Sequence, residues 1–111
     1  MMMLVVIESP LAGDVDRNIL YAKAAMRDSL ARGEAPYASH LLFAQPGILD
    51  DLVPGEREIG IEAGLAWGSV AELTAVYADL GISHGMQRGI DRAKREGRRV
   101  EVRSIQGWAK R

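Results

Sequence analysis

Three short clusters carry side chains and glycines suited to holding a small anionic ligand. They are Glu8, Ser9, Pro10, Gly13 and Asp14 with Arg17 and Asn18 just after; Ser39 and His40; and Asp79, Gly81, Ser83, His84, Gly85 and Met86. In the third cluster an apolar run ends at Asp79, and a helix capped by Ser83 is expected to start. The first N–H groups of a helix lack backbone partners and carry roughly half a positive charge, so this turn favours phosphate or sugar hydroxyls. Gly85 has no Cβ to hold such a ligand away. The rings of His40 and His84 can bond a phosphate or a base, while Arg17 and Asn18 can reach the mouth formed by Ser9 and Gly13. Two isolated histidines with no carboxylate at ligand spacing predict no metal, and no cofactor is expected. Cysteine chemistry is excluded because the chain has none, and no Ser-His-Asp arrangement, phosphate loop or dinucleotide fingerprint is legible.

Composition narrows the partners. At 111 residues the chain can bury one core but not two, so residues 1–111 are read as one domain. A formal net charge of −1 argues against a nucleic-acid partner. The basic run Arg88, Arg92, Lys94, Arg95, Arg98 and Arg99 is read as solvated helix surface with cations near a helix C-terminus. The opening MMMLVVIESP lacks a basic flank and a cleavage site and is too short to span a bilayer, so no membrane partner is expected. Absence of cysteine is compatible with a cytoplasmic location.

Four apolar segments position the clusters. Met3 to Glu8 reads as a strand covered on both faces, followed by a loop and a helix from Asp14 or Asp16 to about Arg32, stopped by Gly33. Ile19, Leu20, Ala24, Met26 and Leu30 form the expected inward stripe of that helix. Glu34 to Leu42 reads as a second strand starting after Pro36 and running into a loop that holds Ser39 and His40. Ala44 to Gly55 is rich in proline and glycine and reads as a loop or lid; Asp50, Asp51 and Arg57 beside it are most simply solvated. Glu56 to Val70 is a helix with Ile59, Ala63 and Ala66 or Trp67 along one face. The strand before Asp79, a helix to about Glu96 and a last strand Arg99 to Ile105 complete the chain. This order predicts an α/β fold, a small Rossmann-like (flavodoxin-like) parallel sheet of four or five strands with helices on both faces. Ligands of such sheets bind outside the carboxyl ends of the strands, where all three clusters fall.

The spacing Ser9-Pro10, Gly13, Asn18, Leu30, Gly33 and Pro36, followed by Asp79, Ser83-x-Gly85 and Ala93, resembles the nucleoside 2-deoxyribosyltransferase-like family, which includes nucleotide N-glycosidases. The resemblance covers nearly the whole chain through short motifs, without the middle glycine of that family's Ser-Gly-Pro. It implies a nucleotide-type small molecule as ligand and a homo-oligomer with a shared site. It also implies a glutamate four residues before Ala93, acting on the anomeric carbon, and here that position is Gly89. Glycosidic cleavage needs a carboxylate against an oxocarbenium-like centre, which glycine cannot supply. Asp91 lies about 200° round the helix. Glu8 and Asp79 are the remaining candidates, and only if the chain is an enzyme.

The expected function is therefore binding, without catalytic residues, of a nucleotide, nucleoside or ADP-ribose-type ligand, for example by a phage protein that sponges a nucleotide signal. The alternative is a deoxyribosyltransferase or N-glycosidase with a relocated carboxylate. A subunit with a purely structural role is the third expectation. Trp67 and Tyr77 are read as core or interface residues, and Trp108 as an assembly contact in a polar tail.

Overall fold

A computed structural model describes residues 1–108. The elements run β1 (Leu4–Glu8), α1 (Val15–Ala31), β2 (Ala35–Tyr37), α2 (Ser39–Phe43), α3 (Pro54–Gly68), β3 (Leu73–Tyr77), α4 (His84–Arg95) and β4 (Arg99–Arg103). All four strands are parallel, in the order β2-β1-β3-β4. The expected Rossmann-like α/β architecture is what the chain adopts. After β2 the chain returns to the other side of β1, so the strand order reverses between β1 and β3. The cleft beyond their carboxyl ends is where such sheets hold ligands.

β3 is buried along its whole length, which explains its unbroken apolar sequence. On one face Val5, Ile7, Leu73, Ala75 and Tyr77 pack with Tyr21 and Ala25 of α1. On the other, Val76 packs with Met86 and Ile90 of α4. The side chain of Asp14 caps α1 by accepting from Arg17 N at 3.2 Å. Ser83 caps α4 by accepting from Met86 N at 3.2 Å, as its sequence position implies.

Several expectations need correction. The inward face of α1 is Asn18, Tyr21, Ala22, Ala25 and Ser29, whereas Leu20 and Leu30 of the predicted stripe are exposed. Polar groups go inside because each finds a partner there: Ser29 Oγ donates to Glu34 at 2.7 Å and Tyr21 OH to Asp79 at 2.6 Å. β2 includes Pro36, paired with Val5 in register; it is an edge strand, where a missing N–H is tolerated. Ser39 and His40 sit at the start of a short helix, α2, rather than in a loop after a longer strand. α3 begins earlier, at Pro54, and turns Gly64 and Gly68 inward while Ile59 and Trp67 are exposed. Close approach explains this inversion. A Cβ at Gly64 would lie 2.7 Å from Ser39 Cβ, and one at Gly68 would lie 3.3 Å from Val6 Cγ2. Trp108 is buried, edge-on to Tyr21 with ring centroids 4.9 Å apart, so it belongs to the core. Tyr77 is core as expected.

Three cations of the basic run are paired. Arg88 bridges Glu58 and Glu62, Arg92 bridges Glu96, and Arg98, whose side chain is 5% exposed, bridges Glu96 at 2.7 Å. No helix among the described residues is long and apolar enough to cross a membrane.

Candidate functional site

A cavity of about 310 Å³ opens beyond the carboxyl ends of β1 and β2, at the low end of the size range of small-molecule sites. β1 delivers Glu8 and Ser9 to it, and the start of α2 delivers Ser39 and His40. The first turns of α4 present Ser83, His84, Gly85, Met86 and Gly89. Eight of the sequence-derived candidates thus meet at one cavity: Glu8, Ser9, Ser39, His40, Ser83, His84, Gly85 and Met86.

The other seven do not line it. Asp79 is turned to the α1 side, where its carboxylate accepts from Tyr21 OH at 2.6 Å and from Ile105 N at 2.9 Å. Asn18 acts at one remove: its Nδ2 donates to Leu11 O at 2.8 Å and Ala12 O at 3.0 Å, holding a loop that does line the cavity. Asp14 is spent on capping α1. Arg17 is exposed, Pro10 is buried behind the loop, and Gly81 sits in the turn with φ +91°. Gly13 borders an adjoining, more apolar groove of about 810 Å³ that also touches His40, Asp51 and Arg57. Asp51 and Arg57, for which solvation was the simplest reading, therefore stand where cavity and groove join. Tyr37 and Gly64 also line the cavity, and nothing local in the sequence marks them.

The decisive contact joins residues 8 and 89. A Cβ built on Gly89 would fall on the Glu8 carboxyl, so Glu8 occupies the space that a side chain at position 89 would need. Glu8, from the end of β1, thus sets a carboxyl group directly over Gly89 of α4. Burial pushes the Glu8 carboxyl up to about 8, against the pull of the Arg98 charge, which leaves it uncharged at neutral pH. His40 is shifted the other way. Burial holds its ring below the usual histidine range, with Asp51 opposing, so the ring is neutral. Ser9 Oγ and His40 Nε2 share a hydrogen bond at 3.3 Å, a pairing invisible in sequence because 31 residues separate them. The enclosed Tyr37 hydroxyl has no hydrogen-bond partner among the described residues, and burial pushes it up to about 12, so it stays protonated. One cavity therefore holds a proton donor, Glu8, and a proton acceptor, His40. No cluster of three or more His, Asp or Glu suited to a metal occurs among the described residues.

A family model described as a domain of unknown function, DUF7768, matches residues 3–103, from just before β1 to the end of β4. The chain belongs to that family. No curated protein matches it. Every residue lining the cavity lies within the matched residues 3–103.

Proposed function

We propose that the cavity binds a nucleoside- or nucleotide-type ligand, with the sugar or base against Glu8 and a phosphate at the start of α4. The observation that carries this reading is the placement of Glu8 in the space above Gly89, at the point where the strand order reverses and a helix N-terminus faces the same opening. Sequestration of a nucleotide signal, as by a phage protein inside a cell, is the biological form this proposal takes. Isothermal titration with a panel of nucleoside mono- and diphosphates and ADP-ribose tests it. Saturable binding that weakens at least about tenfold in Glu8→Ala is the expected result; no binding by folded protein at millimolar ligand would contradict it.

A second reading is favoured by the opposed protonation of Glu8 and His40. A carboxylic acid and a neutral imidazole in one cavity have the states required of a general acid and a general base near pH 7. On this reading Glu8 is the relocated carboxylate, protonating the departing base while His40 activates water. Mass spectrometry of ligand carried through purification separates the two readings: intact nucleotide supports binding, free base with sugar supports cleavage.

The proposal extends to a homo-oligomer. Support comes from Ile59, Trp67 and Val70, large apolar residues left exposed on α3 and just beyond it. Light scattering is expected to give a multiple of the 12.1 kDa chain mass. A monomer at micromolar concentration would count against it.

A further inference from the structure

The side chain of Glu8 makes no hydrogen bond among the described residues, and Gly89, against which it packs, offers no polar side chain. Arg98, the cation whose charge acts on it, is committed elsewhere: Nε donates to Thr74 Oγ1 at 2.9 Å and Nη1 to Glu96 at 2.7 Å. The other titratable or charged groups around the cavity are Tyr37 from β2, His40 from α2, Asp51 from the loop, Arg57 from α3 and His84 from α4. None is hydrogen-bonded to Glu8. Both carboxyl oxygens therefore remain for whatever enters.

We propose that Glu8 acts as an uncharged acid that reads a two-point edge of a planar heterocycle, its hydroxyl donating to a ring nitrogen or oxygen and its carbonyl accepting from the adjacent N–H. The inference rests on the reading of the cavity as a nucleotide-type site and names the part of the ligand that Glu8 selects. A neutral carboxyl presents a donor and an acceptor side by side, which is complementary to a lactam (N–H beside C=O) or an amidine (N–H beside a bare ring nitrogen). A charged carboxylate only accepts, and would select guanidinium or ammonium groups instead. Burial holds Glu8 in the neutral form at neutral pH. Unpaired buried groups are costly, which makes such a site reject an analogue lacking one of the pair.

Glutamine reproduces the donor–acceptor pair without titrating, so Glu8→Gln separates recognition from any proton transfer. The probes are inosine 5′-monophosphate and adenosine 5′-monophosphate, each beside its methylated form, 1-methyl for the lactam and N6,N6-dimethyl for the amidine. Calorimetric affinities are measured from pH 6.5 to 9 on wild-type, Glu8→Gln and Glu8→Ala proteins. At pH 7 the expected pattern is a loss of about tenfold or more on methylation of whichever probe binds, affinity within about threefold of wild type for Glu8→Gln, and a loss of about tenfold or more for Glu8→Ala. Wild-type affinity falls relative to Glu8→Gln as pH passes 8, and this ratio cancels any titration of the probe itself. If the probes bind but Glu8→Gln is as weak as Glu8→Ala, or the methylated probes bind equally well, the edge-reading role is overturned while the ligand reading stands. Failure of every probe to bind folded wild type overturns both.

Discussion

Glutamate at position 89 is expected to destabilise the chain by about 2–4 kcal/mol, and deleting the Glu8 side chain in the same molecule is expected to recover most of that loss. The new Cβ would fall on the Glu8 carboxyl, so one of the two side chains must leave. Gly89 lies on the buried face of α4, between Met86 and Ile90, which limits where a longer side chain can go. Two carboxyls in one enclosure also cannot both ionise cheaply. Opposing these costs, replacing a mid-helix glycine gains up to about 1 kcal/mol of helix propensity. Urea unfolding of Gly89→Glu, Glu8→Ala and the double variant measures the coupling. Strictly additive effects would show that the two side chains do not compete for one space. The double variant also places a glutamate where the resemblance to nucleoside deoxyribosyltransferase-like proteins would have one. Release of free base from a nucleotide by that variant, absent from Gly89→Glu, would strengthen the resemblance; a folded but inactive double variant would weaken it.

Glu8→Gln is expected to stabilise the protein above pH 8 by on the order of 2–3 kcal/mol and to leave its stability at pH 4.5 almost unchanged. The sign follows from the carboxyl being near 4.5 when the chain is unfolded and raised to about 8 in the fold. Below the lower value it is protonated in both states and carries no penalty. Between the two, folding must take up a proton, so stability falls as pH rises through that window and levels off above about 8. The full shift would correspond to more, at about 1.4 kcal/mol per unit, but solvent reaching the cavity reduces it. His40 acts oppositely: its ring, held neutral in the fold, costs stability only where the unfolded ring would be protonated, so its contribution improves as pH rises toward neutrality. Subtracting variant from wild-type melting curves between pH 4.5 and 9 isolates the Glu8 part. A pH-independent difference would contradict the burial assigned to that carboxyl.

Much of the scaffold was legible. Continuous apolar runs, Asp14 and Ser83 as caps, and Gly33 as a stop marked strands and helices closely, because each rests on chemistry local to a few residues. Local chemistry also explains the errors. Hydrophobic periodicity chose Leu20 and Leu30 as the inward face of α1, but the groups inside are Asn18, Tyr21 and Ser29, whose partners come from Leu11, Asp79 and Glu34. On α3 Ile59 and Trp67 face out because Gly64 and Gly68 allow α2 and β1 to come too close for anything larger on that side. The carboxyl-edge rule for parallel sheets gathered eight true neighbours from three distant stretches. It could not tell that Asp79 faces α1 rather than the cavity, nor that Glu8 stands over Gly89, since that contact joins positions 81 residues apart. A glycine at 89 was visible in sequence, but not that Glu8 occupies the space beside it.

The chemistry of the cavity turns on the state of one carboxyl group. A carbon-13 NMR titration of the Glu8 side-chain carboxyl in the folded protein, from pH 4 to 10, measures it directly. The enclosure against Gly89 predicts a midpoint near 8. A midpoint near the ordinary glutamate value of 4.5 would mean that Glu8 is charged and solvated at neutral pH, and its role as an uncharged donor and acceptor would have to be abandoned.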